Sequence, residues 1–249
     1  MKRKLLFILM LGLIQFTFGQ GESAAEIIQK AEDRLRGTTM YAEMTITTIR
    51  PKWSREMKVK TWSKGEDYSV TLVLSPAKDK GTVFLKRKNE IWQYLPSIER
   101  TIKMPPSMLG QSWMGTDMTN DDLVRELSLK DDYTKKLLGT ESVENLPCHK
   151  IELKPKEGVN AIWGKIEIWI SKKGYLQLRT KFYDQDGELV NTILGKDVKM
   201  IGGKKMPATM EIIPAKKKAQ KTKITYTKAE FDIDIDDQIF TTQYMKRLK

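Results

Sequence analysis

The 249-residue chain contains one cysteine and one histidine, the neighbours Cys148 and His149. A disulfide framework within the chain is excluded, and a Cys/His zinc site has too few ligands. A Cys–His nucleophile pair needs both groups to converge on one substrate. Adjacent residues on a strand point to opposite faces, so this pair reads as a buried thiol beside a surface imidazole. Histidine-based hydrolase or transferase chemistry is disfavoured, and the chain is expected not to be an enzyme. Long apolar runs are also missing. The one candidate, residues 5–14, is shorter than the ~20 apolar residues of a membrane-spanning helix, and no later window resembles a span. No acidic residue precedes Glu22. No internal repeat and no convincing domain boundary is found.

What is present begins with a basic start (Lys2, Arg3, Lys4), the short apolar run, and the small residues Thr17 and Gly19. That order is a secretory signal peptide, residues 1–19, with cleavage after Gly19. Residues 20–249 then form one exported, soluble domain, expected in the periplasm. Gln20, not a cysteine, stands directly after the cleavage point, so the chain is not itself expected to be Cys-acylated. Hydrophobic residues make up 40% of the chain and charged residues 31%, enough for one real core and too apolar for global disorder. The formal charge is +12. In an exported protein this points to anionic lipid or an acidic partner rather than nucleic acid.

Ser23-Ala-Ala-Glu26 is a capping box, and Ile27, Ile28, Ala31 and Leu35 share a helical face, giving one helix over 23–36. From Met40 the hydrophobic period changes to two. Alternating runs separated by tight turns continue to Lys103 and resume from about 132 to Phe231, which spells an antiparallel meander. One run is placed at 98–102. A short helix is expected from Thr119, favoured by Asp121 and Asp122. The end, after 231, reads as a loop with a short helix. The expected architecture is mainly β: an unclosed, strongly curved antiparallel barrel of about eleven strands, with helices capping the concave side.

Three motif-like stretches carry little. Ser75-Pro-Ala-Lys78 matches Ser-x-x-Lys, but it falls in a turn without the companion motifs. Asp232, Asp234 and Asp236 alternate without the glycine and glutamate of a calcium loop, so no metal or cofactor is expected. Ten lysines against two acids occupy residues 196–228. Of these, Lys216, Lys217, Lys218 and Lys221 form a candidate docking patch for a membrane or acidic partner. The segment 104–118 is more informative. It holds four methionines, a tryptophan, two prolines and two glycines, a mixture unsuited to a strand. Methionines re-pack around varied apolar shapes. Met104, Met108, Leu109, Trp113, Met114 and Met118 are therefore expected to form a movable lid over an apolar cavity, together with Trp92 and Tyr94.

The run Trp92-Gln-Tyr-Leu-Pro96, with Arg100, Ile102 and Pro105, is followed by Met114-Gly-Thr-Asp-Met-Thr-Asn-Asp-Asp-Leu123. With the leading helix and the meander, it resembles the LolA-like outer-membrane lipoprotein-sorting proteins over most of the mature chain. Thr116 and Met118 stand where family members often carry serine and phenylalanine. The resemblance implies a half-barrel whose apolar cavity carries lipoprotein acyl chains between membranes as a monomer, without catalytic residues. An inner-membrane transporter would load it and an outer-membrane acceptor would receive its cargo. Relatives of this branch often accompany resistance-nodulation-division (RND) transporters, so a lipid- or peptide-binding accessory or sensor is the second reading.

Overall fold

The computed structural model describes residues 21–120, 122, 132–159, 161–217 and 219–248. The export signal, Lys218 and all of the helix expected from Thr119 except its first two residues and Asp122 lie outside them. Helix α1 spans Ala24–Arg36. Its capping box forms as written: the Ser23 N–H donates to Glu26 Oε2 (2.8 Å) and the Glu26 N–H to Ser23 Oγ (3.2 Å). At Thr119 the same reciprocal pattern appears. The Thr119 N–H donates to Asp122 Oδ2 (2.7 Å) and the Asp122 N–H to Thr119 Oγ1 (3.1 Å).

Thirteen strands follow the helix. They are β1 (Thr39–Arg50), β2 (Trp53–Lys64), β3 (Tyr68–Ser75), β4 (Val83–Arg87), β5 (Glu90–Leu95), β6 (Arg100–Lys103), β7 (Tyr133–Val143), β8 (Leu146–Pro155), β9 (Lys165–Ser171), β10 (Gln177–Tyr183), β11 (Leu189–Ile201), β12 (Lys204–Pro214) and β13 (Lys221–Phe231). The expected count of about eleven is too low. Even the shortest runs, β4 and β6, carry enough alternation to be full members of the sheet. The run placed at 98–102 starts later than expected. Glu99 adopts a left-handed φ of 53° and Ile98 is exposed, so both belong to the hairpin turn.

All thirteen strands join one antiparallel sheet in the order β6-β5-β4-β3-β2-β1-β13-β12-β11-β10-β9-β8-β7. Strands β1 and β13 meet in the middle, so the sheet is two meanders seamed together, curved and unclosed. Strands β6 and β7 are consecutive in the chain yet lie at opposite edges. The described part of the link between them, residues 104–120, lies across the sheet.

Register defines the face it crosses. Ile151, Ile168, Thr180, Ile193, Ile212, Thr222, Thr48 and Arg55 form one unbroken line of directly paired residues from β8 to β2. Paired residues share a face. At one end of the line Ile151 and Ile168 pack against Ile27, Ile28 and Ala31 of α1. At the other, Thr222 and Arg55 hold the 104–118 segment. Helix and segment thus cover the same, inner face. Of the helices expected on this face, one α-helix is found among the described residues, with small Ala24 and Ala31 on its contact side.

The outer face has its own cover. Residues 232–248 fold back over β3–β5 as two single-turn 3₁₀ helices, Asp237–Phe240 and Tyr244–Lys246. They bury Ile239, Phe240 and Met245 against Val70, Leu72, Val83 and Leu85. The aspartates before them have local tasks. Asp232 Oδ1 accepts from the Thr38 N–H (2.6 Å), and Asp236 caps the first turn through the Gln238 N–H (2.9 Å).

Candidate functional site: a methionine-lined cavity beneath a latched segment

The 104–120 segment is more ordered than its proline and glycine content predicts, because its polar groups bond to one another. The Trp113 N–H donates to the Met118 carbonyl (2.8 Å), and the Thr116 hydroxyl to the Trp113 carbonyl (2.7 Å). The Asn120 side chain donates to the Met108 carbonyl (2.9 Å). The resulting compact loop drives the Trp113 indole inward, where it is 2% exposed. It packs edge-on against Phe84 (5.5 Å between ring centres) in a cluster with Ile46, Met57, Val59 and Ile91.

The loop is also latched to the sheet. Arg50 Nη1 donates to Asp117 Oδ2 (2.9 Å) and Arg50 Nη2 to the Gly115 carbonyl (3.1 Å). The Asp117 N–H donates to Thr222 Oγ1 (2.8 Å), and the Thr222 hydroxyl donates to Asp117 Oδ2 (2.8 Å). Arg55 donates to the Met114 carbonyl. The Arg50 and Asp117 side chains are only 13% and 4% exposed. An ion pair so shielded from water, with the Thr222 hydroxyl also bonded to its carboxylate, fixes geometry far better than a surface pair.

Between this loop and α1 the inner face is not filled. A cavity of about 490 Å³ lies over β1, β2, β12 and β13, within the ~300–1,000 Å³ of small-molecule sites. Five methionines line it: Met40 and Met44 from β1, Met206 and Met210 from β12, and Met118 from the loop. Val59, Ile224, Tyr226 and Phe231 complete the apolar wall, with Trp113 at the loop end. The Tyr226 hydroxyl makes no hydrogen bond to the described residues, and burial pushes its phenol above the ordinary value. Thr61, Ser63, Ser69, Thr71 and Lys86 line the far end.

Of the eight residues expected at this site, Trp113 and Met118 line the cavity. Met104 is buried in the core beneath the loop, where Leu109 and Met114 pack as partly buried neighbours. Met108 is 36% exposed. Trp92 and Tyr94 do not belong to the cavity. On β5 the inward position is Ile91, so period two turns Trp92 and Tyr94 to the outer face, under Ile239 and Phe240. The residues missed are the strand methionines. Their signal was the spacing of Met40 and Met44, and of Met206 and Met210, on strands where β-branched residues are the usual choice.

Two lysines of the expected patch have acidic neighbours among the described residues. Lys221 and Lys196 both pair with Glu211 (2.7 and 3.1 Å), and Lys216 lies 3.7 Å from Glu188. Burial alone would raise the Glu211 carboxyl; hydrogen bonds from those two lysines outweigh it and lower it. Lys216 and Lys217 border a second, more polar cavity of about 630 Å³ shared with Thr116 and Asp117. Cys148 and His149 take opposite faces. The thiol is fully buried beside Trp169 on the outer side, and burial raises it. Among the described residues no group of three His, Cys, Asp or Glu side chains could hold a metal ion, and no helix is long and apolar enough to cross a membrane.

A sheet of this topology, with a helix and a latched segment over one face, is the fold of the LolA superfamily. A LolA superfamily protein from Nitrosomonas europaea superposes with a TM-score of 0.73 at 23% identity, over 90% of this chain and 100% of the other. A domain from Vibrio parahaemolyticus assigned to outer-membrane lipoprotein sorting gives 0.77 at 22% identity, over 90% and 98%. A DUF1329 family protein from Desulfovibrio piger gives 0.79 at 24% identity, over 89% and 97%. The model of a family described as an uncharacterized protein matches residues 65–247, and the chain belongs to that family. A comparison with curated proteins returns no match.

Proposed function

We propose that this protein is an exported, periplasmic carrier. In this reading it holds lipoprotein acyl chains, or the chain of another lipid, in the inner-face cavity during transfer toward the outer membrane. The observation that carries the proposal is the cavity wall: five methionines around about 490 Å³ of unfilled space. Unbranched thioether side chains adapt to chains of differing shape. Each methylene moved out of water contributes ~0.8 kcal/mol. The latch gives the loop two definable conditions, fastened and released, as loading and unloading require. The reading needs no catalytic group, and Cys148 and His149 are turned away from each other.

The test is to purify the mature chain from its native compartment, extract it, and identify bound lipid or lipoprotein by mass spectrometry. A fluorescent acyl probe is titrated in parallel. Stoichiometric acyl ligand and saturable probe binding are expected. An empty protein that also fails to bind the probe overturns the carrier reading. If the chain is instead recovered in a stable complex with an RND-type membrane transporter and no lipid, the accessory reading replaces it.

A further inference from the structure

Tyr226 stands in the middle of the cavity floor. Its strand, β13, runs between β1 and β12. The phenol therefore lies between the two strand pairs of methionines, Met40 and Met44 on one side and Met206 and Met210 on the other. Its Cα is paired with that of Met44. A strand side chain stands roughly perpendicular to its sheet, so the ring carries its hydroxyl up from the floor toward the unfilled space. The cluster in which the ring packs is apolar, with Ala42, Ala208, Ala229 and Phe231 beside three of those methionines. Polar groups of the lining bond elsewhere. The Thr61 and Thr71 hydroxyls bond to each other (2.9 Å), Lys86 donates to the main-chain carbonyl of Glu66, and Asp122 Oδ2 accepts from the Thr119 N–H (2.7 Å). The Tyr226 hydroxyl has no hydrogen-bond partner among the described residues, and burial alone raises its phenol.

A tyrosine placed this deeply ordinarily finds a partner for its O–H. Phenylalanine would serve a purely hydrocarbon site equally well, without a donor left unmade. A hydrocarbon laid across Tyr226 displaces water from the hydroxyl and returns no hydrogen bond. A chain that places a carbonyl oxygen there returns it. Resting on the carrier reading, we infer that the cavity takes an acylated ligand, an ester or an amide, with its acyl carbonyl inside the cavity and accepting a hydrogen bond from the Tyr226 hydroxyl. The cargo is thereby narrowed from any long alkyl chain to an O-acyl or N-acyl group, and Tyr226 is the residue that reads the difference. The methionines on either side adapt to the hydrocarbon that flanks the carbonyl.

The test uses three uncharged chains of equal length: methyl laurate, N-methyl lauramide and tetradecane. Each displaces a fluorescent acyl probe from the wild-type mature chain and from Tyr226→Phe, which removes the oxygen alone. The ester and the amide are expected to bind the variant about three- to tenfold more weakly, the range of one neutral hydrogen bond, and tetradecane no more weakly. Whichever of the two loses more separates an ester-reading from an amide-reading site. The empty variant should melt no lower than the wild type, since the hydroxyl has no protein partner to lose. Equal changes for all three ligands, or a variant that melts lower, overturn the carbonyl assignment and leave the carrier reading standing. A second measurement needs no variant. The infrared carbonyl stretch of labelled methyl laurate bound to the wild type should fall below its position in tetradecane solution, and a stretch at that position overturns the assignment. Failure of all three ligands and of the probe to bind the wild type overturns the carrier reading itself.

Discussion

One sheet treats the two halves of its inner face in opposite ways. Over β8 and β9 the inward positions include Ile151, Ile166, Ile168 and Ile170, all at most 1% exposed, and α1 fills the space above them. Over β1, β12 and β13 the inward positions include Met40, Met44, Met206 and Met210, and a cavity remains. Isoleucine has one strongly preferred χ1 arrangement and packs as a fixed shape. Methionine has three soft torsions and accepts several shapes. The first half supplies stability, and the second sets stability aside for volume. Rigid scaffold and adaptable site are thus divided by side-chain type within a single layer.

Trp113 is the residue that most directly breaks this division. It is a rigid side chain in the adaptable half, and it is core in every geometric sense. Trp113→Ala is expected to cost about 3–5 kcal/mol in urea unfolding and also to weaken acyl-probe binding. A near-normal unfolding midpoint would make the loop a mere flap. The latch comes next. Asp117→Ala leaves the Arg50 guanidinium shielded and unpaired, a loss of about 3–5 kcal/mol, and probe release should accelerate in stopped-flow. The double variant Arg50→Met/Asp117→Leu should unfold later than Asp117→Ala while still releasing probe quickly, because stability and latching are then separated.

The comparison is sharpened by one matched pair. Ile168→Ala should lower stability by about 2–5 kcal/mol and leave probe affinity intact. Met44→Ala borders empty space, so its cost should be about 1 kcal/mol, with a clear change in which chain lengths the cavity accepts. Equal stability losses in the two variants, at unchanged probe binding, would mean that the methionine half is ordinary core.

Much of this division is written in periodicity. The alternation from Met40 onward, the capping box at Ser23 and the turn residues place α1 and most of the strands, because each depends on neighbours in sequence. Methionine is densest at 104–118, yet of the eight residues expected at the cavity two, Trp113 and Met118, line it. Density along the chain was the wrong measure. β1 and β12 come together only through β13, more than a hundred residues away in sequence from β1, so no local window contains Met40, Met44, Met206 and Met210 at once. The outward turn of Trp92 and Tyr94, by contrast, was available from alternation alone, since Ile91 already occupies the inward parity. The pairing of Lys216 with Glu188 and of Lys221 with Glu211 likewise depends on contacts between strands and turns.

The smallest expected effect tests whether the two halves also differ in their response to acid. His149 lies on the inner face of the isoleucine half, paired with Ile170. Burial first, and then the charge of Lys172, hold its imidazole below the ordinary 6.5, with Glu22 opposing. A lowered folded pKa means that the unfolded chain takes up this proton first as pH falls. The stability His149 contributes is therefore present above pH 6.5 and is lost as pH falls through the folded-state value below it. Lowered carboxyls such as Glu22 and Glu211 also lose stability on acidification, so the wild-type slope alone assigns nothing. The informative quantity is a difference. Between pH 7 and pH 5 the melting temperature of His149→Gln should fall less than that of the wild type, and the binding of an uncharged acyl probe should change little in either. Parallel melting curves would remove His149 from the acid response. A loss of probe binding that tracks its titration would couple the two halves that the packing keeps apart.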